Sequence, residues 1–276
     1  MWKTELDTAA QLAREAGEIL LQIYATDFEV RFKGVADPVT EADRKANEHL
    51  VRELQARFPD DAIVAEETVG NLGSTRARRC WYVDPLDGTK EFIAKNGEFS
   101  VMLGLSVEGQ ALLGVVYQPV LDKLYLGIVG EGAECIEGGR RRALRVSAIS
   151  DPSELGLVVS RSHRPKDTDM LCERLGIQKE TSSGSVGLKV GLIAEQKADL
   201  YVHISDRSCV WDSCGPEAIL RAAGGRFTTL SGKPFVYRIG ETKNSEGILA
   251  CNANAYEPVL KVVANLARET GFLTAS

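Results

Sequence analysis

The segment Trp81-Tyr82-Val83-Asp84-Pro85-Leu86-Asp87-Gly88-Thr89 joins a short apolar run to a polar turn and a helix start. Its first three residues are of the types found in buried strands. Asp84 and Asp87 stand three residues apart, so a tight turn stiffened by the intervening proline can point both carboxylates inward. Gly88 allows close backbone approach, and a helix beginning at Thr89 would turn its first amides towards an anion. Carboxylates that suit a cation and amides that suit a phosphate group therefore meet in one loop.

Other acidic residues extend this pattern. Glu66 and Glu67 directly follow the apolar run at residues 62–65, and Asp212 follows Trp211. An acid at the carboxyl end of a strand points into the crevice where α/β proteins bind ligands. Each cluster taken alone could be a helix cap or a turn. Several carboxylates in one crevice would repel each other, and Mg²⁺, which prefers oxygen ligands, relieves that repulsion.

Hydrophobic periodicity predicts an α/β fold with two different halves. Adjacent strands with short turns in residues 100–129 favour an antiparallel first half, whereas the second half alternates strands and helices. We expect a soft domain boundary near residue 150, giving domains 1–150 and 151–276 that pack closely. The chain predicts helices over residues 6–24, 40–58, 168–175, 187–196, 212–223 and 255–271, and strands over residues 28–32, 62–65, 81–83, 100–107, 111–117, 123–129, 157–159, 198–202 and 247–251.

Composition excludes several classes of protein. The 276 residues carry 33 Lys plus Arg against 39 Asp plus Glu, a net charge of −6, which argues against a binder of nucleic-acid polymers. No apolar run reaches the length of a transmembrane segment, and the N-terminus lacks the apolar core of a signal peptide, so we expect a cytoplasmic protein. The six cysteines form no Cys-x-x-Cys pair and only three histidines are present, which argues against zinc.

The acidic pattern resembles that of the lithium-sensitive, Mg²⁺-dependent phosphatases of the inositol monophosphatase superfamily. That pattern runs Asp, Glu-Glu, Asp-Pro-(Ile/Leu)-Asp-Gly-Thr, Trp-Asp, and it occurs here as Asp43, Glu66-Glu67, Asp84–Thr89 and Trp211-Asp212. The resemblance covers nearly the whole chain. It implies a layered α/β/α/β/α sandwich, a layer order that periodicity alone does not give.

Within the superfamily, the details resemble the 3'(2'),5'-bisphosphate nucleotidases. The segments that carry this closer resemblance are Asp84-Pro-Leu-Asp-Gly-Thr-Lys-Glu-Phe92, Asn96-Gly-Glu-Phe-Ser100, Ser160-Arg-Ser-His163, Gly184-Ser185 with Lys189, and Trp211-Asp-Ser-Cys-Gly-Pro-Glu217. Ser213 and Gly215 depart mildly from the nucleotidase form.

The resemblance also implies a metal centre of two or three Mg²⁺ ions. Glu66, Asp84 and the Leu86 carbonyl would hold one ion, and Asp84, Asp87 and Asp212 a second. Asp43 would act through water at a third, weaker position. Glu66 and Thr89 would orient or deprotonate the attacking water. Asp212 could equally be the N-cap of the helix that follows it, or serve as both cap and ligand.

The implied substrate is a small phosphorylated molecule. Gly184, Ser185 and Lys189 would lie near the nucleotide or its second phosphate, although Lys189 could instead be an exposed helix residue. The metal-facing side of the same substrate site would consist of Glu66, Leu86, Asp87, Gly88, Thr89 and Asp212.

Three functions fit these features. The first is hydrolysis of adenosine 3',5'-bisphosphate to AMP and phosphate, which would remove a by-product of sulfate assimilation. The second is an inositol monophosphatase or a broad sugar-phosphate phosphatase. The third is a catalytically silent binding protein, against which stands the presence of every expected ligand type. Inositol-type relatives are often dimers, so a homodimer is a further expectation.

Overall fold

The computed structural model describes residues 2–34, 37–68, 74, 77–162, 164 and 167–273. In its first half, two long helices precede most of the strands. The elements are α1 (Lys3–Tyr24), β1 (Val30–Gly34), β2 (Asp37–Thr40), α2 (Glu41–Arg57), β3 (Ala62–Ala65), β4 (Arg79–Asp87), α3 (Thr89–Ile93), β5 (Ser100–Val107), β6 (Gln110–Gln118), β7 (Lys123–Ile128), β8 (Gly132–Glu137) and β9 (Arg140–Leu144).

Seven of these strands form one sheet in the order β3-β4-β5-β6-β7-β8-β9. The pairs from β4 to β9 are antiparallel, which confirms the predicted antiparallel arrangement. β3 and β4 are parallel, so their carboxyl ends meet at one edge of the sheet. The turn between β5 and β6 is tight because Glu108 and Gly109 both have positive φ, at 51° and 77°.

The second half builds a smaller mixed sheet of order β11-β10-β12-β14-β13. β10 runs parallel to β11 and β12, whereas β14 is antiparallel to its two neighbours. The elements are β10 (Gly156–Ser160), α4 (Thr168–Leu175), β11 (Lys179–Ser183), α5 (Val186–Ala194), β12 (Leu200–His203), α6 (Val210–Ala222), β13 (Arg226–Thr228), β14 (Ile248–Cys251) and α7 (Tyr256–Glu269).

The packing of helices on these sheets gives five layers. α1 and α2 cover one face of the large sheet, α5 and α6 lie between the two sheets, and α4 and α7 cover the outer face of the small sheet. The predicted α/β/α/β/α sandwich is therefore confirmed. Because α5 and α6 come from the second half yet pack on the sheet of the first, the two halves share a core. Their division into domains 1–150 and 151–276 stays a prediction.

Five strands, β2, β8, β9, β11 and β13, were not expected from the sequence. β9 is an edge strand whose first three residues are exposed arginines, and β11 reads Lys-Glu-Thr-Ser-Ser with its first three residues exposed. Neither has the alternating apolar pattern on which strand prediction depends. Conversely, the helix predicted to begin at Thr40 is present, because the Thr40 side chain accepts a hydrogen bond from the Ala42 amide and its backbone amide donates to Asp43.

Helix α6 approaches the large sheet unusually closely through glycines. A Cβ at Gly114 on β6 would lie 2.0 Å from the Gly215 carbonyl oxygen, and a Cβ at Gly104 on β5 would lie 2.4 Å from the Gly215 amide nitrogen. Both distances are shorter than side chains tolerate, so only glycine permits this contact. The contact sets the height of α6, and hence of Asp212 in its first turn, above the sheet.

We predict that Gly114→Ala lowers the free energy of unfolding by about 1–3 kcal/mol, the usual cost of overpacking a well-packed core. Chemical denaturation monitored by circular dichroism would measure the loss. Gly156→Ala is the matched control, because a Cβ there meets no atom closer than 3.5 Å. Equal stability of the two variants would show that α6 can move away from the sheet at no cost.

Glu217 is a residue of helix α6 whose carboxyl group is buried. It is 2% exposed, accepts a hydrogen bond from the Tyr237 hydroxyl at 2.6 Å and pairs with Arg221 at 2.9 Å. Loss of hydration raises the pKa of Glu217 to about 7, although Tyr237 and Arg221 act in the opposite direction. The folded protein therefore holds this proton at pH values where the unfolded chain has released it.

This pKa predicts that the protein loses stability as pH rises from about 5 to 8. A raised carboxyl pKa contributes stability that is complete below the unfolded value of 4.5 and is lost as pH passes through about 7. The change is about 2–3 kcal/mol in the free energy of unfolding. In Glu217→Gln this part of the pH dependence should vanish when denaturation is repeated from pH 5 to 8. An unchanged slope would mean that Glu217 titrates normally.

Candidate active site

The carboxyl ends of β3 and β4 carry the first acidic residues of the site. Glu66 directly follows β3, and its backbone amide donates to the Val83 carbonyl of β4 at 3.1 Å. The parallel pairing of these strands brings Glu66 next to Asp84, since the negative charge of Glu66 is one of the causes that raise the Asp84 pKa. The sequence led us to expect these acids at the carboxyl ends of strands, and this arrangement agrees with that expectation.

Asp84 and Asp87 lie on a bulged strand end rather than in the expected tight turn. β4 extends through Asp87, with Asp84 opposite Met102 and Asp87 opposite Ser100, so the stretch between the two acids holds one extra residue. Asp84 is 2% exposed and accepts a hydrogen bond from the Leu86 amide at 3.0 Å. Burial raises its pKa well above the usual value, and the charges of Glu66, Asp87 and Asp212 raise it further.

Asp87 reaches across to the start of α5 in the second half of the chain. Its Oδ2 accepts hydrogen bonds from the Ser185 hydroxyl at 2.5 Å, the Val186 amide at 2.5 Å and the Gly187 amide at 3.2 Å. The first amides of a helix have no partner within the helix and favour negative charge. The two halves of the chain thus meet directly at this carboxylate.

Asp212 enters the site from the first turn of α6. Its Oδ2 accepts a hydrogen bond from the Cys209 amide at 2.7 Å, so the side chain does cap the helix. The pKa of Asp212 is also raised well above its usual value, first by burial and then by the charge of Asp87. A cap alone would not need a second carboxylate so near, so the arrangement fits a residue that is both cap and ligand.

Asp43 and Thr89 form a hydrogen-bonded pair beside these acids. The Thr89 hydroxyl lies 3.1 Å from Asp43 Oδ1 and 3.4 Å from the Leu86 carbonyl oxygen. The other oxygen of Asp43 accepts hydrogen bonds from the amide and hydroxyl of Thr40, both at 2.7 Å. Burial raises the pKa of Asp43 despite these bonds. Gly88, which precedes Thr89, has a φ of 101° and so meets the backbone requirement expected of it.

Lys189 is 3% exposed, so it is not the exposed helix residue that the sequence allowed. Its ammonium group donates to the Ser185 carbonyl at 2.6 Å and lies 5.1 Å from the centre of the Tyr201 ring. Burial lowers the Lys189 pKa, whereas the charges of Asp87 and Asp212 raise it. Lys189 thus supplies positive charge next to the acids from inside the protein.

Gly184 is required by packing as well as by any ligand. A Cβ there would lie 2.3 Å from the Glu98 carbonyl oxygen, and the Gly184 amide donates to the Glu98 carboxylate at 2.8 Å. Arg161 holds the same carboxylate through two hydrogen bonds of 2.5 and 2.6 Å. Arg161 is therefore engaged within the protein. His163, in the same motif, lies outside the described residues.

The carboxylates form an open arrangement. In the described part of the chain, no three of the site's carboxylates each bring an oxygen within 4.8 Å of one another. Asp84, Asp87 and Asp212 each turn an oxygen to a backbone amide instead. The donor set still fits divalent cations, because buried carboxylates with raised pKa values repel each other and offer the hard oxygen ligands that Mg²⁺ prefers.

A second acidic group, Cys135, Glu137 and Glu195, is compact enough to hold a metal ion. Its charge is already neutralised, because Glu195 pairs with Lys123 at 2.6 Å and with Lys197 at 2.8 Å, and also with Arg142. A cation entering here would have to displace these groups. The group instead anchors the C-terminal end of α5, whose N-terminal end contacts Asp87.

Asn244 is a residue near the site that no sequence pattern predicted. This residue is 4% exposed, and its side-chain amide donates to the Cys209 carbonyl at 2.5 Å. Its backbone amide donates to the Ser208 carbonyl at 3.0 Å. These bonds fix Cys209, whose backbone amide donates to Asp212. A lone asparagine in a polar loop has no pattern that would reveal this contact.

Comparison with known proteins shows the family of this chain. The family model described as "Inositol monophosphatase family" matches residues 2–267. The 3'(2'),5'-bisphosphate nucleotidase CysQ of Escherichia coli O157:H7 is 38% identical over 237 residues, which cover 84% of this chain and 93% of the relative. The protein of the same name from Buchnera aphidicola is 35% identical and covers 87% of this chain and 89% of the relative.

Solved structures show the same fold. CysQ from Bacteroides thetaiotaomicron superposes with a TM-score of 0.76 at 30% identity, covering 91% of this chain and 97% of that one. The Thermotoga maritima IMPase superposes with a TM-score of 0.80 at 28% identity, covering 96% and 99%. No described helix of the present chain is both long and apolar enough to cross a membrane. By family model, sequence identity and fold, this chain belongs to the inositol monophosphatase family.

Proposed function

We propose that this chain is a Mg²⁺-dependent phosphomonoesterase that hydrolyses the 3'-phosphate of adenosine 3',5'-bisphosphate to AMP and phosphate. The observation that carries the phosphatase chemistry is the convergence of Glu66, Asp84, Asp87 and Asp212 from strand ends and a helix start. The choice of substrate rests on relatives at 35–38% identity that are named 3'(2'),5'-bisphosphate nucleotidase.

Two or three Mg²⁺ ions would be held by oxygen atoms of these residues. Glu66, Asp84 and the Leu86 carbonyl form one ligand set, and Asp84, Asp87 and Asp212 form the other, with Asp43 contributing through water. When bound, such ions supply the positive charge that activates a water molecule and stabilises the leaving oxygen. Lithium sensitivity would follow from the same sites.

Side chains of the protein would orient the attacking water molecule and accept its proton. Glu66 and the Thr89 hydroxyl orient it for attack on phosphorus. The 3.1 Å contact between Thr89 and Asp43 offers a path for its proton, because Asp43 has a raised pKa and its Oδ1 faces Thr89. Gly88, at a positive φ, lets the backbone come close to the phosphate.

The second-half residues would form the other wall of the substrate site. Gly184, Ser185 and Lys189 lie at the start of α5, which Asp87 also contacts. We assign them to the nucleotide side. The buried Lys189 would act there as a nearby positive charge. A role in removing a by-product of sulfate assimilation, a cytoplasmic location and a homodimer stay predictions.

Comparing kcat/KM for adenosine 3',5'-bisphosphate and inositol 1-phosphate tests the choice of substrate. We expect at least about a hundredfold preference for the nucleotide at saturating Mg²⁺, which corresponds to about 2.7 kcal/mol in transition-state binding. Both activities should disappear when Mg²⁺ is removed by chelation. Equal rates, or a preference for inositol 1-phosphate, would retain the metal chemistry but reject the nucleotidase. Nucleotide binding without turnover would identify a silent binding protein.

Replacing one carboxylate with its neutral isostere tests the metal centre. Asp84→Asn removes a buried charge that its neighbours oppose, so the metal-free protein should melt at a higher temperature at pH 8 than the wild type. The same variant should lose about a hundredfold or more in kcat, and added Mg²⁺ should no longer raise its melting temperature.

Asp60→Asn is the matched control, because Asp60 is an exposed acid outside the site. It should leave the melting temperature, the Mg²⁺ response and kcat unchanged. Retention of wild-type activity and Mg²⁺ response in Asp84→Asn would reject the metal assignment.

A further inference from the structure

Ser185 stands in a backbone conformation that L-residues rarely adopt. Its φ is 53° and its ψ is 135°, and it immediately precedes α5. Non-glycine residues hold such conformations only where the surrounding structure imposes them, and these positions concentrate at functional sites. A glycine, such as the neighbouring Gly184, would accept this conformation more readily than serine. The serine side chain must therefore have a use at position 185.

The hydrogen bonds of Ser185 show what that use is. Its hydroxyl lies 2.5 Å from Asp87 Oδ2 and 2.8 Å from the Ser100 hydroxyl, and it accepts a bond from the Leu188 amide at 3.2 Å. A serine hydroxyl has one hydrogen to donate. The carboxylate can only accept, so that hydrogen goes to Asp87. Ser100 must then be the donor to Ser185.

The result is a short chain of hydrogen bonds from Ser100 through Ser185 to Asp87. Both serines are buried, since Ser100 is 0% and Ser185 5% exposed. Ser100 also lies opposite Asp87 in the pairing of β5 with β4, so the hydrogen bonds link two adjacent strands of the large sheet to the start of α5. Hydrogen bonds linked in this way strengthen each other in a low-dielectric interior.

These bonds use only one oxygen of Asp87. Oδ2 accepts from Ser185 and from the amides of Val186 and Gly187, and among the described residues no hydrogen bond to Oδ1 is found. A carboxylate anchored through one oxygen has a fixed plane and presents the other oxygen in a fixed direction. Groups that orient a metal ligand in this way typically change metal affinity 10–100-fold when they are removed.

We infer that Ser185 is a positioning residue, which anchors Asp87 Oδ2 so that Oδ1 is directed at a divalent cation. This inference rests on the proposed function, because it takes Asp87 as a metal ligand. It also gives Ser185 a role other than direct contact with the substrate. The left-handed backbone at Ser185 brings its hydroxyl and the first amides of α5 onto the same carboxylate oxygen.

Metal binding to the substrate-free full chain tests the inference. Isothermal titration with Mg²⁺ should show affinity about 10–100-fold weaker in Ser185→Ala and Ser185→Gly than in the wild type. Glycine tolerates the positive φ, so Ser185→Gly should melt no lower than Ser185→Ala, and its weaker binding cannot be attributed to unfolding. Ser183→Ala is the matched control, because that buried hydroxyl donates to the Gly184 carbonyl and not to Asp87.

A double-mutant cycle tests the order of the hydrogen bonds. Ser100→Ala alone should weaken Mg²⁺ binding by a smaller factor, and it should cause no further loss when Ser185 is already glycine. Wild-type Mg²⁺ affinity in both Ser185 variants, or an equal loss in Ser183→Ala, would overturn the inference while leaving the proposed function intact. Absence of Mg²⁺ binding and of Mg²⁺-dependent phosphate release in the wild type would overturn the proposed function, and the inference with it.

Discussion

The electrostatic repulsion among the carboxylates of the candidate site is the constraint on which the rest of the structure depends. Asp84 lies at the end of a buried strand and feels the charges of Glu66, Asp87 and Asp212. An arrangement of this kind is costly for a folded protein, and the carboxylates of Asp84, Asp87 and Asp212 are each partly compensated by a backbone amide at 2.5–3.0 Å. The remaining carboxylate oxygens are the hard ligands that Mg²⁺ prefers.

The inner helical layer connects this constraint to the fold. α5 and α6 both begin at the site, one contacting Asp87 and the other carrying Asp212. The glycine contact between Gly215 and β5 and β6 sets the position of α6. At the far end of α5, Glu195 pairs with Lys123 of β7. Helices fixed in this way can hold side chains that would otherwise move apart under their mutual repulsion.

A buried lysine, Lys189, places positive charge near the site. Lys189 is buried and donates to the Ser185 carbonyl. Burial lowers its pKa, and the nearby charges of Asp87 and Asp212 oppose that effect. A lysine in this position offsets part of the carboxylate charge before any cation binds. It also stabilises the strained residue that anchors Asp87, so electrostatics and backbone geometry act on the same helix turn.

The sequence by itself determined which acidic residues are candidates for the site and the order of most of the elements. The acids at residues 43, 66, 84, 87 and 212, the Thr40 cap and the main helices could be recognised because residue type and spacing over a few positions depend on local physics. The family resemblance supplied the layer order. Tertiary structure alone decided the bulge between Asp84 and Asp87, the polar strands β9 and β11, and the contacts of Ser185 and Asn244. These features depend on groups far apart in the chain, such as Asp87 and Ser185, whose proximity no local pattern encodes.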